Sequence, residues 1–344
     1  MPKADEGLFS PPMVMRIGID CRKIADFGIG TYIRGLVRGL AEIGGPEQYR
    51  LFVQRAIPDL PFEQVVVDVP VYSLRELPVL GRAIARARLD LFHSPDLMLP
   101  WTSCPTVVTL HDVIRTRYPP RNPAARLYVA VMTPRALHKS RRVLTVSEAA
   151  KRAILETFDC DPEKIVVTPN GVDEIFFADG PRAEGRYFLY VGNDKPHKNV
   201  ERLVEAARRL GDPATRLLLV GGDFERYRDV EGVIAPGFVT GDELAALYRG
   251  AIALVTPSLE EGFGLPVVEA MAAGTPVIAS DIPALVEVTG GEAFYIDPRS
   301  TQAMANAMQN VTREHVERAR ARAAQFTWRR CAELTREVYR CATS

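Results

Sequence analysis

The chain has 344 residues, of which 47% are hydrophobic and 25% are charged, a composition that predicts about two globular domains and excludes disorder, collagen and coiled coil. Lysine and arginine number 43 together, as do aspartate and glutamate, so the formal net charge is zero. The chain therefore lacks the overall positive field that is typical of nucleic-acid-binding proteins. The five cysteines are scattered without a Cys-x-x-Cys pair, which predicts neither a disulfide framework nor a zinc site. Residues 1–13 do not resemble a signal peptide and no apolar run reaches the roughly 18 residues of a membrane span, so we expect a cytoplasmic protein.

Short β-branched runs alternate with longer segments of helical period along the whole chain, which is typical of parallel sheets covered by helices. The first set of expected strands comprises residues 14–20, 65–72, 89–93, 106–111, 143–146 and 165–168. The second set comprises residues 187–191, 216–220, 233–239, 252–256, 276–279 and 293–296. Two sets of about six strands predict two doubly wound α/β domains. Residues 177–186, rich in turn formers, are the expected linker.

Two amphipathic helices are expected at opposite ends of the chain. The first covers residues 30–43 and contains Gly35 and Gly39, each of which costs about 1 kcal/mol relative to alanine inside a helix. We therefore expect a neighbour to approach the helix closely at these glycines. The second helix, over residues 328–341, has its own apolar stripe.

Residues 257–274 predict a strand end, a glycine-bearing loop and a short helix that begins at a proline. A helix start presents unpaired N–H groups that suit a phosphate, and Gly262 and Gly264 allow close approach of the backbone. Glu261 and Glu269 flank this position with seven residues between them. Carboxylates beside a phosphate site favour recognition of sugar or ribose hydroxyls. The alternative is that Glu269 only caps and solvates the helix start and Glu261 is a loop charge.

Several single residues are weaker candidates. Lys198 precedes an expected helix over residues 200–210 and is placed to neutralise a leaving diphosphate, although a solvated lysine is the common alternative. His111 and His93 end expected strands, at the sheet edge where ligands bind, and a structural role is the alternative for both. The Asp-x-Asp spacing at residues 159–161 precedes a proline and is interpreted as a turn, not a metal motif.

Further motifs join these in chain order: residues 28–34, 110–112, 145–148, 169–173, 190–199 and the Glu-x7-Glu stretch at 261–269. Together they resemble family 4 of the glycosyltransferases, retaining enzymes of the GT-B fold, over nearly the whole chain. The resemblance implies two doubly wound Rossmann-like α/β domains facing a cleft. Residues 14–178 would bind the acceptor and residues 186–325 the nucleotide sugar. Residues 326–344 would form a terminal helix that crosses back onto the N-terminal domain.

The same resemblance implies roles for individual residues. Three would act in catalysis: His111 facing the sugar near its anomeric carbon, Lys198 neutralising the departing phosphate, and Glu261 contacting the donor sugar. Glu269 would bind the ribose hydroxyls. The rest of the donor would be held by Gly30 on the diphosphate, by Val239 in the segment 239–244 along the base, and by backbone N–H groups of Gly262, Phe263, Gly264 and Leu265.

Asn193 is the one departure from the family pattern at the donor site, since many members carry arginine directly after the preceding glycine. The charge on the diphosphate is therefore expected to be met mainly by Lys198, with Lys195 and His197 as candidate substitutes. Asn193 itself remains an expected donor contact. The resemblance also implies a mechanism in which the leaving diphosphate itself helps to remove the acceptor proton and the protein supplies position and charge. We therefore expect no metal and no cofactor besides the nucleotide-sugar substrate.

The expected activity is transfer of a hexose from a donor such as GDP-mannose during surface polysaccharide or glycolipid assembly, although the sequence does not specify the base or the sugar. Residues 75–142, in the expected acceptor domain, hold 12 basic and 4 acidic residues. This excess predicts an anionic acceptor, a polyprenyl-diphosphate-linked glycan, and peripheral contact with the anionic inner face of the cell membrane. An arginine-rich solvated surface is the alternative, and no nucleic-acid partner is expected.

Two other enzyme classes stay open. A sugar-nucleotide epimerase or a phosphorylase of the GT-B fold would use the same donor site without a glycan acceptor or with inorganic phosphate. A nicotinamide-dependent oxidoreductase would also have doubly wound domains. Against it, Gly28 and Gly30 are followed by Ile33 where the dinucleotide fingerprint needs its third glycine.

Overall fold

The computed structural model describes residues 14–73 and 75–343; the expectation for residues 1–13 and the last residue of the predicted terminal segment lie outside them. The N-terminal half contains seven strands, named β1 to β7 in chain order: Arg16–Asp20, Gln48–Val53, Glu63–Val66, Leu91–Ser94, Thr106–Thr109, Arg142–Thr145 and Ile165–Val167. Its helices α1 to α5 are Ile29–Ile43, Glu76–Ala87, Ile114–Arg117, Pro123–Lys139 and Glu148–Thr157.

The C-terminal half contains strands β8 to β13: Arg186–Val191, Thr215–Val220, Val233–Gly237, Ala253–Thr256, Val277–Ser280 and Phe294–Ile296. Helices α6 to α12 are Val200–Arg209, Gly241–Gly250, Leu265–Ala272, Pro283–Thr289, Thr301–Asn310, Val316–Ala323 and Trp328–Thr343. Short 3-10 helices occur at Pro162–Lys164, Glu174–Phe176, Pro196–Lys198 and Glu225–Tyr227. Every helix within residues 14–73 and 75–343 falls short of the length and apolar character that crossing a bilayer requires.

The strands form two separate parallel sheets. The N-terminal sheet has the order β3-β2-β1-β4-β5-β6-β7 and the C-terminal sheet the order β10-β9-β8-β11-β12-β13. In both, the chain moves outward from a central strand and then returns to the other side of it, which is the doubly wound arrangement that the sequence predicts. Such sheets bind ligands at the carboxyl ends of the strands beside this reversal, so β8 and β11 mark the relevant edge of the second sheet.

The first sheet has one strand more than expected. Strand β2 was missed because Gln48 and Arg50 interrupt its apolar residues. Arg50 compensates by donating hydrogen bonds of 2.8 Å to Glu63 and to the carbonyl of Ala87. The strand expected at 65–72 runs instead from Glu63 to Val66, and Pro70, which has no N–H to donate, prevents the expected continuation to residue 72.

Helix α12 returns to the first domain and packs against α1. A side-chain carbon added at Gly35 would overlap the indole of Trp328, and one at Gly39 would overlap the Trp328 carbonyl. The Trp328 indole N–H also donates a 2.6 Å hydrogen bond to Asp173. The expected close approach at both glycines and the crossing of the terminal helix are confirmed.

The two domains touch across the cleft at the start of α5. The Ser147 hydroxyl donates a 2.6 Å hydrogen bond to the carbonyl of Gly262. Glu287, on α9, accepts hydrogen bonds of 2.8 and 2.7 Å from the backbone N–H groups of Glu148 and Ala149. A carboxylate is favourable at this helix start, so these contacts hold the carboxyl edges of the two sheets together.

Candidate functional site

The glycine-bearing loop lies between β11 and α8 at the expected sheet edge. Gly264 ends the loop with φ at 94°, a conformation that strongly favours glycine, and a side-chain carbon there would lie 2.6 Å from Leu285. Gly262 faces the other domain, where an added side-chain carbon would overlap the backbone oxygen of His111. The Phe263 side chain is buried against Phe326, with ring centroids 5.4 Å apart, so this residue offers a ligand only its backbone.

Lys198 and Glu261 meet at the start of α8. The Lys198 ammonium donates a 2.7 Å hydrogen bond to Oε1 of Glu261, which also accepts a 2.7 Å hydrogen bond from the Ser258 hydroxyl. Both charged side chains are largely buried, at 16% and 10% exposed, so the pair is held in low dielectric. The structure therefore brings together the cation and the carboxylate that the sequence assigns to the donor, and Ser258 is an additional partner.

Asn199 holds Lys198 in place. It adopts a left-handed conformation with φ at 59°, and its side-chain amide donates hydrogen bonds of 2.9 and 2.7 Å to the carbonyls of Pro257 and Pro298. This buried amide ties the loop after β8 to the loop after β11. The juxtaposition of Lys198 with the glycine loop is thus fixed by backbone contacts, not by the ion pair alone.

Glu269 lies on α8 and faces α7. Its Oε2 accepts a 2.8 Å hydrogen bond from the hydroxyl of Tyr248. Burial raises the pKa of the Glu269 carboxyl to about 7, although the Tyr248 hydrogen bond acts in the opposite direction. A carboxylate poised near neutrality accepts hydrogen bonds from a diol, which agrees with the ribose role implied for this residue.

His111 faces the glycine loop from the first domain. Its Nε2 donates a 3.1 Å hydrogen bond to the Pro95 carbonyl, and its ring meets that of Tyr32 edge-on at 4.8 Å. Burial lowers the pKa of the imidazole, which favours the neutral ring. With Nε2 engaged, Nδ1 is the ring nitrogen that can accept a hydrogen bond.

The remaining predicted donor residues shape the surrounding loops. Gly30 lies in the first turn of α1, where a side-chain carbon would come 2.6 Å from the Ile24 carbonyl. The Asn193 side chain accepts a 3.3 Å hydrogen bond from the backbone N–H of Lys195 and so orders the turn after β8. Val239 follows β10 and is partly buried against the core of the second domain. The roles of Gly30, Asn193 and Val239 as direct donor contacts remain predictions.

The two candidate substitutes for the missing arginine differ sharply. His197 is buried, and burial followed by the nearby Lys198 lowers its pKa to about 4, so it is uncharged at neutral pH. Lys195 is solvent-exposed as a residue, but desolvation of its ammonium group, followed by the positive charge of Arg115, lowers its pKa. Lys195 is therefore the cation available beside Lys198.

A network in the first domain was not predicted. The Tyr72 hydroxyl accepts hydrogen bonds from the ammonium of Lys23 and from Arg115, and donates a 2.6 Å hydrogen bond to Asp96. Burial opposes ionisation of Asp96, but the charges of Lys23 and Arg115 outweigh it and lower its pKa to about 2. These residues come from distant segments and carry no shared sequence pattern. Lys23 and Asp96 follow β1 and β4, whereas Tyr72 and Arg115 follow β3 and β5. The charges of Asp96 and Lys23 both act on the His111 ring.

Two other candidates have structural roles. His93 is buried, with its ring nitrogens 2.6 Å from the Tyr339 hydroxyl and 2.8 Å from the Thr109 hydroxyl, and burial lowers its pKa to about 3. Asp161 caps a 3-10 turn through a 2.9 Å hydrogen bond from Glu163 N–H, as expected of a turn. Within the described residues, no three His, Cys, Asp or Glu side chains are grouped to hold a metal ion.

Two family models match the chain, and together they cover most of it. The model described as Glycosyltransferase Family 4 matches residues 28–175, and the model described as Glycosyl transferases group 1 matches residues 171–327. The boundary between the two matches falls just after the sheet of the first domain ends.

Similar curated proteins are sugar transferases by name. The O-antigen chain mannosyltransferase RfbU of Salmonella typhimurium is 34% identical over 59% of this chain, and the match spans only 60% of that protein. The O-antigen chain mannosyltransferase B of Escherichia coli is 28% identical over 91% of this chain and 96% of that protein. The MMP alpha-(1->4)-mannosyltransferase of Mycolicibacterium hassiacum is 31% identical over 78% of this chain and 74% of that protein.

Solved structures share the fold at low sequence identity. The sucrose-phosphate synthase of Thermosynechococcus elongatus superposes with a TM-score of 0.75 at 22% identity, over 95% of this chain and 98% of that one. HepE from Anabaena, in complex with UDP-glucose, gives a TM-score of 0.77 at 17% identity, over 95% of this chain and 100% of that one. Nearly the whole two-domain architecture is common to the three proteins.

Proposed function

The chain belongs to glycosyltransferase family 4 and is a glycosyltransferase with the GT-B fold, and from this premise we propose its reaction. It transfers a hexose, specifically mannose, from a nucleoside-diphosphate sugar to a hydroxyl of a glycan acceptor. The anomeric configuration of the transferred sugar is retained. Mannose is proposed because the relatives named above are mannosyltransferases.

The observation that carries the proposal is the Lys198–Glu261 pair at the start of α8. A cation and a carboxylate 2.7 Å apart beside a glycine loop supply two interactions that a nucleotide sugar needs, one for its diphosphate and one for its sugar hydroxyls. The ammonium and the helix N–H groups favour the diphosphate, and the carboxylate accepts hydrogen bonds from sugar hydroxyls. Glu269 is proposed to bind the ribose, and Lys195 to take the place of the arginine that Asn193 replaces.

Transfer is proposed to occur on the front face of the sugar. The bond between the anomeric carbon and the leaving phosphate breaks as the acceptor oxygen approaches from the same side, and the departing phosphate oxygen takes the acceptor proton. Lys198 and the start of α8 stabilise the charge that develops on the phosphate. No nucleophile of the protein and no metal are required by this route.

The acceptor is proposed to be a lipid-linked, anionic glycan at the inner face of the cell membrane. Residues 113–147 contain eight arginines and lysines and no acidic residue. Helix α4, within this segment, exposes Leu127 (65%) and Val131 (54%) one turn apart, and Trp101 nearby in the same domain is 61% exposed. Exposed apolar side chains surrounded by positive charge match the surface of an anionic bilayer.

Product analysis tests the proposed reaction. Wild-type protein is incubated with GDP-, UDP-, ADP- and dTDP-hexoses, with and without a lipid-linked acceptor, and Glu269→Gln serves as the binding-deficient comparison. We expect one donor class to bind and to yield a glycoside of unchanged anomeric configuration by NMR. Product from the donor alone would favour the epimerase, product that requires inorganic phosphate would favour the phosphorylase, and binding of NAD alone would favour the oxidoreductase.

Liposome flotation tests the membrane proposal separately. We expect wild type to float with vesicles that contain phosphatidylglycerol and to stay behind with pure phosphatidylcholine. The double variant Leu127→Asn with Val131→Asn should lose flotation. Ile234→Asn with Val286→Asn, two exposed apolar residues of the second domain, is the matched control and should float like wild type. Equal recovery with both lipids would contradict the proposal.

A further inference from the structure

Two phenylalanine rings stack across the mouth of the cleft. Phe27 belongs to the loop between β1 and α1 of the first domain, and Phe238 follows β10 in the second. Their ring centroids are 4.5 Å apart and the planes differ by 21°. Phe27 is 53% exposed and Phe238 is 70% exposed, so neither ring belongs to a hydrophobic core.

Phe27 reaches onto the carboxyl edge of the second sheet. One ring carbon lies 3.8 Å from the position that a side-chain carbon on Gly221 would take, at the end of β9. The same position on Gly221 is 3.2 Å from the carbonyl oxygen of Gly192, in the loop that leads to Lys198. A flat ring from one domain therefore lies on glycine backbone beside the proposed diphosphate site of the other.

The chemistry of this position fits a nucleobase. Phe238 follows β10 at the carboxyl edge of the second sheet, and ligands of doubly wound sheets bind along this edge. An exposed aromatic ring beside glycine backbone, which has no side chain in the way, offers a stacking surface. Any of the nucleobases can stack on such a ring, because each has a π-face. The Phe27 ring is stacked on one face of Phe238 and covers it.

We propose that Phe238 is the stacking platform for the donor base and that Phe27 is a placeholder which the base displaces. The inference rests on the proposed nucleoside-diphosphate donor and adds a residue that competes with it. Because the two phenylalanines act in opposite senses, their removal has opposite consequences: loss of Phe27 frees the platform, and loss of Phe238 removes it.

Titration calorimetry with GDP, UDP, ADP and inorganic pyrophosphate tests the inference. For the nucleotide that binds wild type, Phe27→Ala should tighten binding about three- to tenfold, the range expected for one aromatic pair. Phe238→Ala should weaken it about 5- to 100-fold, and Phe238→Trp should restore it. Pyrophosphate has no base, so its affinity should be the same in all variants. Trp101→Ala is the control, because Trp101 is a comparably exposed aromatic residue that precedes the amino end of β5, away from the carboxyl edges of the sheets.

The outcomes separate the inference from the proposed function. If Phe27→Ala and Phe238→Ala both weaken nucleotide binding, the base lies between the rings and the placeholder role is overturned. Unchanged nucleotide affinity in both variants overturns the stacking role as well. If folded wild type binds none of the nucleotides, the proposed donor class fails, and the inference fails with it. Opposite effects that are confined to the nucleotides establish it.

Discussion

The hydroxyl of Ser147 joins the two domains at the glycine loop. It donates to the Gly262 carbonyl at 2.6 Å and accepts a 2.9 Å hydrogen bond from the Ala150 N–H, so one side chain both caps α5 and fixes the loop of the opposite domain. The Gly262 carbonyl is thereby directed toward the first domain. Because the loop supplies proposed diphosphate contacts, the cap of an N-terminal helix takes part in shaping the donor site.

Replacement of Ser147 by alanine should therefore have two effects. Loss of the cap should destabilise the protein by about 0.5–2 kcal/mol, and release of the loop should weaken donor binding. Ser300→Ala is the matched control, because Ser300 caps α10 through a 3.1 Å hydrogen bond from Ala303 N–H. Thermal unfolding and calorimetry should show similar destabilisation in both variants and weaker nucleotide binding in Ser147→Ala alone. Equal donor affinity in the two variants would contradict the shared role.

Glu269 should make stability depend on pH. Burial raises its pKa from 4.5 to about 7, so the folded protein holds a proton there that the unfolded chain releases. The stabilising contribution of that proton is complete below pH 4.5 and is lost as the pH rises through 7. In Glu269→Gln this loss is absent, and the Tm difference between variant and wild type should grow in favour of the variant from pH 5 to pH 8. Glu317→Gln, on an exposed carboxylate of α11, is the control.

Tyr248 should influence the pH at which Glu269 loses its proton. Its hydrogen bond to Glu269 favours the carboxylate and holds the pKa below the value that burial alone would give. Tyr248→Phe removes the hydroxyl and keeps the ring, so the pH at which the carboxylate forms should rise. We expect the pH midpoint of nucleotide binding to move upward relative to wild type. A midpoint that is unchanged or lower would argue against the Tyr248–Glu269 coupling.

The sequence alone was sufficient for the parts of the molecule that depend on local pattern. Alternating β-branched runs and helical periods predicted twelve of the strands in the described residues. The glycines inside α1 predicted the close approach of a neighbour, and the structure shows that this neighbour is Trp328. Strand β2 was missed because Arg50 satisfies its charge through Glu63, a partner that becomes visible only when the strands are paired.

The residues of the candidate site also differ in how far local sequence pattern predicts them. Lys198 and the Glu-x7-Glu stretch could be chosen as candidates from the sequence because helix starts and glycine loops have a local signature. The Tyr72 network with Lys23, Asp96 and Arg115 was missed because it is assembled from four separate segments and no spacing predicts it. The strand expected to end at His111 ends at Thr109, so His111 lies in the loop just beyond the carboxyl end of β5. The hydrogen bond from its Nε2 to the Pro95 carbonyl depends on a loop contact that the sequence does not encode locally.

Gly35 should be intolerant of even one added carbon. The new methyl group of Gly35→Ala would overlap the Trp328 indole, and overpacking of this kind costs about 1–3 kcal/mol. Gly241→Ala is the control, since the nearest atom to its added carbon is 3.9 Å away in ordinary contact. Denaturant unfolding should show a loss for Gly35→Ala only. Combination with Trp328→Leu should recover part of that loss in a double-mutant cycle, whereas strictly additive effects would place its cause outside the α1–α12 contact.

Lys198 and Glu261 should separate charge stabilisation from sugar recognition. Lys198→Ala removes the cation proposed to act on the departing phosphate, and kcat should fall about 100- to 1000-fold, as for other residues that stabilise developing charge.

Glu261→Gln keeps the shape of the side chain but releases Lys198 from its 2.7 Å ion pair. Binding of the nucleoside diphosphate should then be equal or tighter, while binding of the nucleotide sugar weakens and turnover falls. Glu260→Gln, on the neighbouring carboxylate that pairs with Arg117 at 2.9 Å, is the control and should leave the ratio of the two affinities unchanged. Equal losses for nucleotide and nucleotide sugar in Glu261→Gln would show that the carboxylate only holds the lysine.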